Sequence, residues 1–272
     1  MRVALCVDME GVCGIHSWNQ VNGGDPQYLS QGRQLLTDEV NAAVRGARKA
    51  GATNVVVMDL HGAGNGYSFN SILIEKAETG ADYILGGPWM RYTKVFEDGC
   101  DAVLLVGAHA MAGTQYGVLC HTMSSESWYN AWINETLVGE SGLCAAICGS
   151  FGAPVAFVSG DAATCDEVRN LLGQQVVPVI TKWGLGRYQA RHRVPSVVCA
   201  ESEAKVAEAL SPAHLKTLKA WNPRPATLKV ELATPDRANQ YMGKVGIEII
   251  GSRTVMSRGE NFWQAWNQFW PY

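Results

Sequence analysis

The sequence has few charged residues: Asp, Glu, Lys and Arg make up 17% of its 272 residues, and the formal net charge is −3. In globular domains the charged share is usually about a quarter. No block of like charges occurs along the chain, which argues against nucleic acid or an anionic membrane as a partner. With so little charge and 29 glycines, the chain is expected to be compact and to bury surface between subunits.

Long apolar runs and paired cysteines are also missing. No run reaches the roughly 20 residues that a membrane-spanning helix needs. Residues 1–8 lead directly into a predicted strand without a secretion signal, so we expect a cytoplasmic protein. None of the eight cysteines forms a CxxC pair, and reduced, mostly buried thiols are expected. The spacing of Cys144 and Cys148 suits a metal pair, but two small apolar residues on one helix face is the favoured interpretation.

Apolar strands alternate with helices along most of the chain. Runs rich in β-branched residues at 2–8, 54–58 and 102–106 each end in a polar or glycine-bearing loop. A helix with an apolar stripe at 3.6-residue spacing is predicted over 27–49. This alternation is typical of an α/β fold with a largely parallel sheet flanked by helices on both faces.

The middle and the end of the chain depart from this pattern. Short strands predicted at 118–123 and 128–133 indicate an antiparallel excursion, and the proline-bearing stretch at 222–225 is the best boundary candidate. We therefore expect a metal-binding α/β domain over residues 1–222 and a smaller C-terminal α/β segment, 223–272, that packs on it. The aromatic tail of that segment has two equally weighted interpretations, core packing and a contact between subunits.

Acidic and imidazole side chains follow the predicted parallel strands. Asp8 and Glu10 lie two residues apart at the end of the first strand, and their carboxylates point to one side if the chain stays extended. His61 and His109 follow the other two strands. Since the carboxyl ends of parallel strands form one edge of a sheet, we expect these side chains to converge. Two carboxylates at the mouth of a buried strand repel each other unless a cation neutralises them.

The mixture of carboxylate and imidazole predicts a metal site and favours zinc or a similar divalent ion over calcium. Together with Glu140, in the first turn of a predicted helix, the ligands exceed what one catalytic zinc needs. A hydrolytic two-metal site with Asp8 as the bridging carboxylate fits this number. Glu140 by itself is also explained as a carboxylate that interacts with the helix dipole. His121 is either an inward-facing strand residue or a general acid/base or nucleophile beside the metals.

Five short motifs occur in order between residues 7 and 140. They are Val7-Asp8-Met9-Glu10-Gly11, Asp59-Leu60-His61, Gly107-Ala108-His109, Cys120-His121-Thr122-Met123 and Val138-Gly139-Glu140. In this order and at these separations they resemble the zinc-dependent D-aminopeptidases that bacteria encode with dipeptide-transport systems. The resemblance implies an α/β metallopeptidase with two Zn²⁺ ions per subunit. It also implies a homodecamer of stacked pentameric rings with the active sites inside a channel.

The same resemblance assigns an activity and residue roles. The implied activity is removal of N-terminal D-amino acids, notably D-Ala, from short peptides and amino-acid amides. The implied catalytic residue is His121. The implied metal ligands are Asp8 as the bridge, Glu10 and Glu140 on one ion, and His61 and His109 on the other.

Other functions stay open on the sequence. The aromatic segment 124–132 and the basic segment 183–193 are expected to line the pocket or channel, and the side-chain and stereochemical preference depends on them. The alternatives at the same site are a metal-dependent small-molecule amidase or deacylase and an L-specific aminopeptidase. A non-enzymatic ring with structural zinc is a third hypothesis. It is disfavoured because structural zinc sites are usually closed four-ligand cages rich in cysteine.

Overall fold

The structure is a computed structural model that describes residues 1–87 and 92–270. Within these residues it contains two sheets, one of seven strands and one of five. The strands are β1 (Arg2–Val7), β2 (Asn54–Asp59), β3 (Asp82–Ile84), β4 (Ala102–Ala108), β5 (Trp128–Ile133), β6 (Thr136–Val138), β7 (Val155–Asp161), β8 (Val177–Gly186), β9 (Gln189–His192), β10 (Ala226–Leu232), β11 (Ile247–Gly251) and β12 (Thr254–Gly259). The α-helices are α1 (Arg33–Lys49), α2 (Lys94–Glu97), α3 (Glu140–Ser150), α4 (Ala162–Leu172), α5 (Pro195–Ala209), α6 (Pro212–Leu215), α7 (Pro235–Asn239) and α8 (Phe262–Phe269).

The larger sheet has the strand order β3-β2-β1-β4-β7-β8-β9, and its pairs are parallel except for β8 with β9. Helices cover both of its faces. Along β1, Val3, Leu5 and Val7 pack in the core that includes α1 and α5, whereas Ala4 and Cys6 pack in the core that includes α3 and α4. This division follows from the alternation of side chains along a strand. The predicted α/β fold with a largely parallel sheet is confirmed.

The smaller sheet is antiparallel, with the order β11-β12-β10-β5-β6. It joins the excursion in the middle of the chain, β5 and β6, to the C-terminal strands. Helix α8 packs on this sheet and buries Phe262, Trp266 and Phe269 with Leu228 and Val230. The tail aromatics on this face therefore contribute to the core. The division of the chain at residue 222 stays a prediction, since this sheet takes strands from both sides of it.

The strand predicted at 118–123 is wrong. These residues form turns, and Leu119 and Met123 have φ angles of 52° and 46°. Extended strands need φ between about −120° and −140°, so the chain cannot continue as a strand here. Instead, the amide of Leu119 donates to the Arg187 carbonyl at 2.9 Å and that of His121 donates to the Ala110 carbonyl at 3.2 Å. His121 therefore lies in a loop held between the end of β4 and the β8–β9 turn.

The described residues include no helix with the length and apolar character needed to cross a bilayer.

Candidate active site

The carboxyl ends of β1, β2 and β4 lie side by side because β1 pairs in parallel with both of the other strands. This geometry brings together the residues that follow the three strands. Asp8 Oδ1 lies 3.1 Å from His61 Nδ1, and Asp8 Oδ2 lies 3.3 Å from His109 Nε2. One carboxylate thus has an imidazole nitrogen at each of its two oxygens.

Two more carboxylates complete the arrangement. Glu10 Oε2 lies 3.2 Å from His61 Nδ1, and Glu140 Oε2, at the start of α3, lies 3.6 Å from His109 Nε2. The donor atoms form two groups, and Asp8 contributes one oxygen to each. The grouping differs from the pairing that the resemblance implies. The order of the strands places His61 beside Glu10, and the start of α3 places Glu140 beside His109.

The separations of these atoms match those of ligands that share an ion. Zinc binds nitrogen and oxygen at about 2.0–2.2 Å, so two ligands of one tetrahedral zinc lie about 3.3–3.6 Å apart. The four carboxylate-to-imidazole distances run from 3.1 to 3.6 Å. The side chains therefore fit zinc without rearrangement of the backbone.

Hydrogen bonds on the far side of each imidazole decide which nitrogen carries the proton. His61 Nε2 lies 2.8 Å from the Val21 carbonyl, and His109 Nδ1 lies 3.0 Å from the Ala110 carbonyl. A carbonyl only accepts, so these nitrogens are the N–H donors of the neutral rings. The other nitrogen of each ring faces carboxylates, so a cation has to lie there, either a proton on the ring or a metal ion between the ring and the carboxylates. Ligating histidines in metal sites usually donate their second N–H in this way.

The electrostatics of the group also favour a bound cation. Burial, together with the charge of Glu10, raises the pKa of Asp8 to about 7. Burial alone would lower the pKa of His61, but the Glu10 and Asp8 carboxylates outweigh it and raise that pKa well above its usual value. Burial would raise the pKa of Glu10, but the imidazole of His61, 3.2 Å away, outweighs it and lowers that pKa well below its usual value. Buried negative charge costs free energy, and a cation removes this cost.

His121 lies next to this group in a different environment. Its ring stacks on that of His109, with the centroids 3.8 Å apart and the planes at 16°. Its Nδ1 lies 2.9 Å from the Leu119 carbonyl, which makes Nδ1 the N–H donor and leaves the Nε2 lone pair. Burial and then the charge of His109 lower the pKa of His121 to about 4. The ring is therefore neutral near pH 7 and is able to accept a proton.

The position of His121 also allows a second interpretation. One of its nitrogens lies within 4.8 Å of the donor atoms of His109 and Glu140. His121 is thus close enough to be a further metal ligand, and only the metal content of a variant distinguishes this role from proton transfer.

Comparison with known proteins identifies the family. The model of the Peptidase_M55 family, described as D-aminopeptidase, matches residues 1–270. This chain belongs to the D-aminopeptidase family. The resemblance that the five motifs indicate is confirmed.

Two relatives show how far the similarity extends. The D-aminopeptidase of Bacillus subtilis (strain 168) is 29% identical over 271 residues, which cover 98% of this chain and 94% of that protein. A solved structure, described as the Zn-dependent D-aminopeptidase DppA from Bacillus subtilis, a self-compartmentalizing protease, matches with a TM-score of 0.90 and 28% identity. That match covers 99% of this chain and 95% of the other. The aligned region thus spans both sheets and the part of the chain that carries the candidate site.

In this D-aminopeptidase family member a cavity of about 460 Å³ opens over Asp8, Glu10, His61 and Glu140. Pockets of this size hold small molecules. Trp18 and Phe69 line it, as do Met123 from the turn-rich loop, Trp266 from α8 and Trp270 just after α8. The C-terminal segment therefore forms part of the wall of the candidate site, which the sequence did not indicate.

The sequence patterns also gave no role to Lys182. This residue is fully buried in β8, and its Nζ donates to the carbonyl oxygens of Glu10, Val12 and Ile15 at 2.6–2.7 Å. These three bonds fix the loop that carries Glu10. The signal in the sequence was a lysine within a mostly apolar strand, which is unusual because buried lysines need partners.

Proposed function

We propose that this chain is a two-zinc aminopeptidase that removes the N-terminal residue, a D-amino acid, from short peptides or amino-acid amides. The observation that carries the proposal is the pair of imidazole nitrogens that face carboxylates at 3.1–3.6 Å, with the Asp8 carboxylate shared between them. The proposed ligands are Asp8, Glu10 and His61 for one ion and Asp8, His109 and Glu140 for the other.

The chemistry needs both the metals and a proton carrier. Zinc bound at these ligands supplies a Lewis acid for the carbonyl and a water whose pKa is near neutrality. His121 is the proposed catalytic residue, because its neutral ring lines the cavity and has a free lone pair on Nε2. It accepts a proton on Nε2 and delivers it to the leaving amine. The carbonyl of Leu119 holds the ring in the tautomer that this transfer requires.

The substrate class rests on the cavity and on the relatives. Its volume suits a short peptide, and aromatic residues enclose part of it. The preference for D-residues is taken from the family to which the chain belongs.

A panel of four compounds tests the substrate class with the zinc-loaded protein. We expect D-Ala-D-Ala and D-Ala amide to be hydrolysed, and L-Ala-L-Ala and N-acetyl-D-Ala amide to be left intact. Cleavage of the L-dipeptide alone would make the protein an L-specific aminopeptidase. Cleavage of the acetylated compound would make it an amidase or deacylase. No hydrolysis with any divalent ion would favour a ring that only binds peptide or metal.

The assembly proposed for this chain is a homodecamer of stacked pentameric rings. Its structural relative is described as self-compartmentalizing. Exposed apolar side chains at Met242, Val245, Ile249 and Ile250 support a contact between subunits. Sedimentation of the purified protein tests this, and a monomer would exclude it.

All eight cysteines are free, which supports the expected cytoplasmic location. Cell fractionation tests that location.

A further inference from the structure

Three thiols lie together behind the metal ligands. Cys6 is in β1, Cys144 and Cys148 are in α3, and the three Sγ atoms lie within 4.8 Å of one another. Cys6 comes two residues before Asp8, and Cys144 comes one helical turn after Glu140. The strand and helix periods that direct the two acids to the candidate site therefore also bring the thiols together.

We propose that this thiol cluster, Cys6 with Cys144 and Cys148, is a separate binding site for a soft, thiophilic metal ion. Zinc–sulfur bonds are about 2.3 Å long, so two thiolates on one ion of this size lie about 3.8–4.0 Å apart. The Sγ atoms of Cys144 and Cys148 are 4.0 Å apart. On binding, each thiol releases its proton to solvent and forms one metal–sulfur bond, with no change in oxidation state.

The donor set decides which class of ion binds. Thiolates and thioethers select soft ions such as monovalent copper, whereas carboxylates and imidazoles select harder ones. The thioether of Met58 lines the same small cavity as the three thiols. The thiol cluster and the carboxylate–imidazole groups therefore prefer different ions, although Cys144 and Glu140 share one helix.

There is space for an ion beside the thiols. A cavity of about 40 Å³ adjoins the thiol cluster, which exceeds the 10–15 Å³ or so that one water needs. Leu60, Met123, Glu140 and Trp266 line both this cavity and the larger one over the ligand groups. The two cavities therefore adjoin across these four side chains.

Cys6 is the reason to prefer a metal site over the interpretation that the sequence favoured, in which Cys144 and Cys148 are only small apolar residues on one helix face. Two small residues on one helix face explain Cys144 and Cys148, but they do not explain a third thiol from a neighbouring strand. Within the described residues the remaining cysteines lie outside every three-residue group able to hold a metal. They are Cys13, Cys100, Cys120, Cys165 and Cys199.

The test is a titration of the reduced, zinc-loaded protein with Cd²⁺ as a soft probe. Cadmium thiolates absorb in the ultraviolet by charge transfer, whereas cadmium on carboxylates and imidazoles does not. We expect one thiolate-bound Cd²⁺ per chain. Cys144→Ala should lower the affinity by more than about 100-fold, since even the loss of an outer partner of a ligand costs 10–100-fold. Cys165→Ala removes a buried thiol outside the cluster and should leave the absorbance unchanged.

In the titration, either of two results would overturn the inference. One is the absence of charge-transfer absorbance in the wild-type protein. The other is absorbance that survives in folded Cys6→Ala, Cys144→Ala and Cys148→Ala variants, with folding checked by thermal unfolding. If these variants do not fold, X-ray absorption at the cadmium edge of the wild-type protein decides the matter. Three sulfur neighbours per bound ion support the site, and one or none excludes it.

Discussion

Two clusters of buried oxygen atoms lie on either side of Glu10, one of backbone carbonyls and one of carboxylates, and their negative charge is balanced in different ways. On the backbone side, Lys182 brings its own cation and donates to three carbonyl oxygens. On the side-chain side, Glu10 and Asp8 face the imidazole of His61, and the described residues place no lysine or arginine within ion-pair distance of them. The first group is complete within the protein. The second has no cation of its own except a proton on His61, and we propose that a metal ion from solution completes it.

If the proposed metal site is correct, this comparison explains how its ligands are positioned in advance. Burial lowers the pKa of Lys182 to about 8, against the opposing charges of Asp161 and Glu39. The ammonium is kept because its three carbonyl partners replace water. The loop that carries Glu10 is therefore fixed before an ion arrives, and such preorganisation of ligands is what a tight metal site requires.

The largest effect is expected from loss of the carboxylate shared by both ligand groups. Asp8→Asn should reduce kcat/KM by more than about 10³-fold, because the metals supply both the Lewis acid and the activated water. Metal analysis should show one zinc or less per chain. Asp161→Asn is the matched control, because Asp161 also ends a buried strand but caps α4. The zinc content of this variant should equal that of the wild-type protein. If the Asp8→Asn protein kept two zinc ions, Asp8 would not be the carboxylate that two ions share. The contrast between this site and the group around Lys182 would then be wrong.

The next largest effect concerns His121. His121→Ala should lower kcat by about 10²–10⁴-fold, the usual contribution of a general acid/base. Zinc content should stay at two per chain, because His121 is not proposed as a ligand. His214→Ala, in α6, is the control and should match the wild-type rate. Loss of zinc from the His121 variant would reassign this residue as a ligand.

A third prediction concerns the internal cation. Lys182→Met should lower the free energy of unfolding by about 3–5 kcal/mol, since buried carbonyls lose the charge that satisfies them. Urea unfolding of the zinc-loaded protein measures this. Lys205→Met, on the exposed face of α5 beside Glu208, should change it by less than about 0.5 kcal/mol. Equal effects of the two substitutions would show that Lys182 does not hold the loop.

The smallest effect is expected at the neighbouring residue. The buried hydroxyl of Thr181 donates to the Gly11 carbonyl at 2.5 Å. Thr181→Val keeps the shape and removes this one bond, which should cost about 1–2 kcal/mol in the same unfolding experiment. If Thr181→Val lowered the free energy of unfolding as much as Lys182→Met does, the charged Lys182 would contribute no more to stability than one uncharged hydrogen bond.

The sequence predicted the parts of the site that depend on local patterns. Apolar runs that stop at Asp8, His61 and His109 were enough to predict a parallel sheet and a meeting of these side chains at its edge. Glu140 was ambiguous, because an acid in the first turn of a helix is common, and its proposed role rested on the family resemblance.

Features that depend on distant parts of the chain were not predictable in this way. The loop that carries His121 turns through residues with positive φ, whereas the sequence at 118–123 suggested a short strand. The bonds of Lys182 join residues about 170 positions apart, and no local pattern encodes such a contact. The thiol cluster required the packing of α3 against β1, which the spacing of Cys144 and Cys148 alone does not give.

The most direct test of the account is anomalous diffraction at the zinc edge from crystals of the zinc-loaded protein. We predict two peaks per chain on either side of the Asp8 carboxylate. One peak should lie within bonding distance of Glu10 and His61, and the other within bonding distance of His109 and Glu140. A single peak, or two peaks beyond bonding distance of Asp8, would contradict the account.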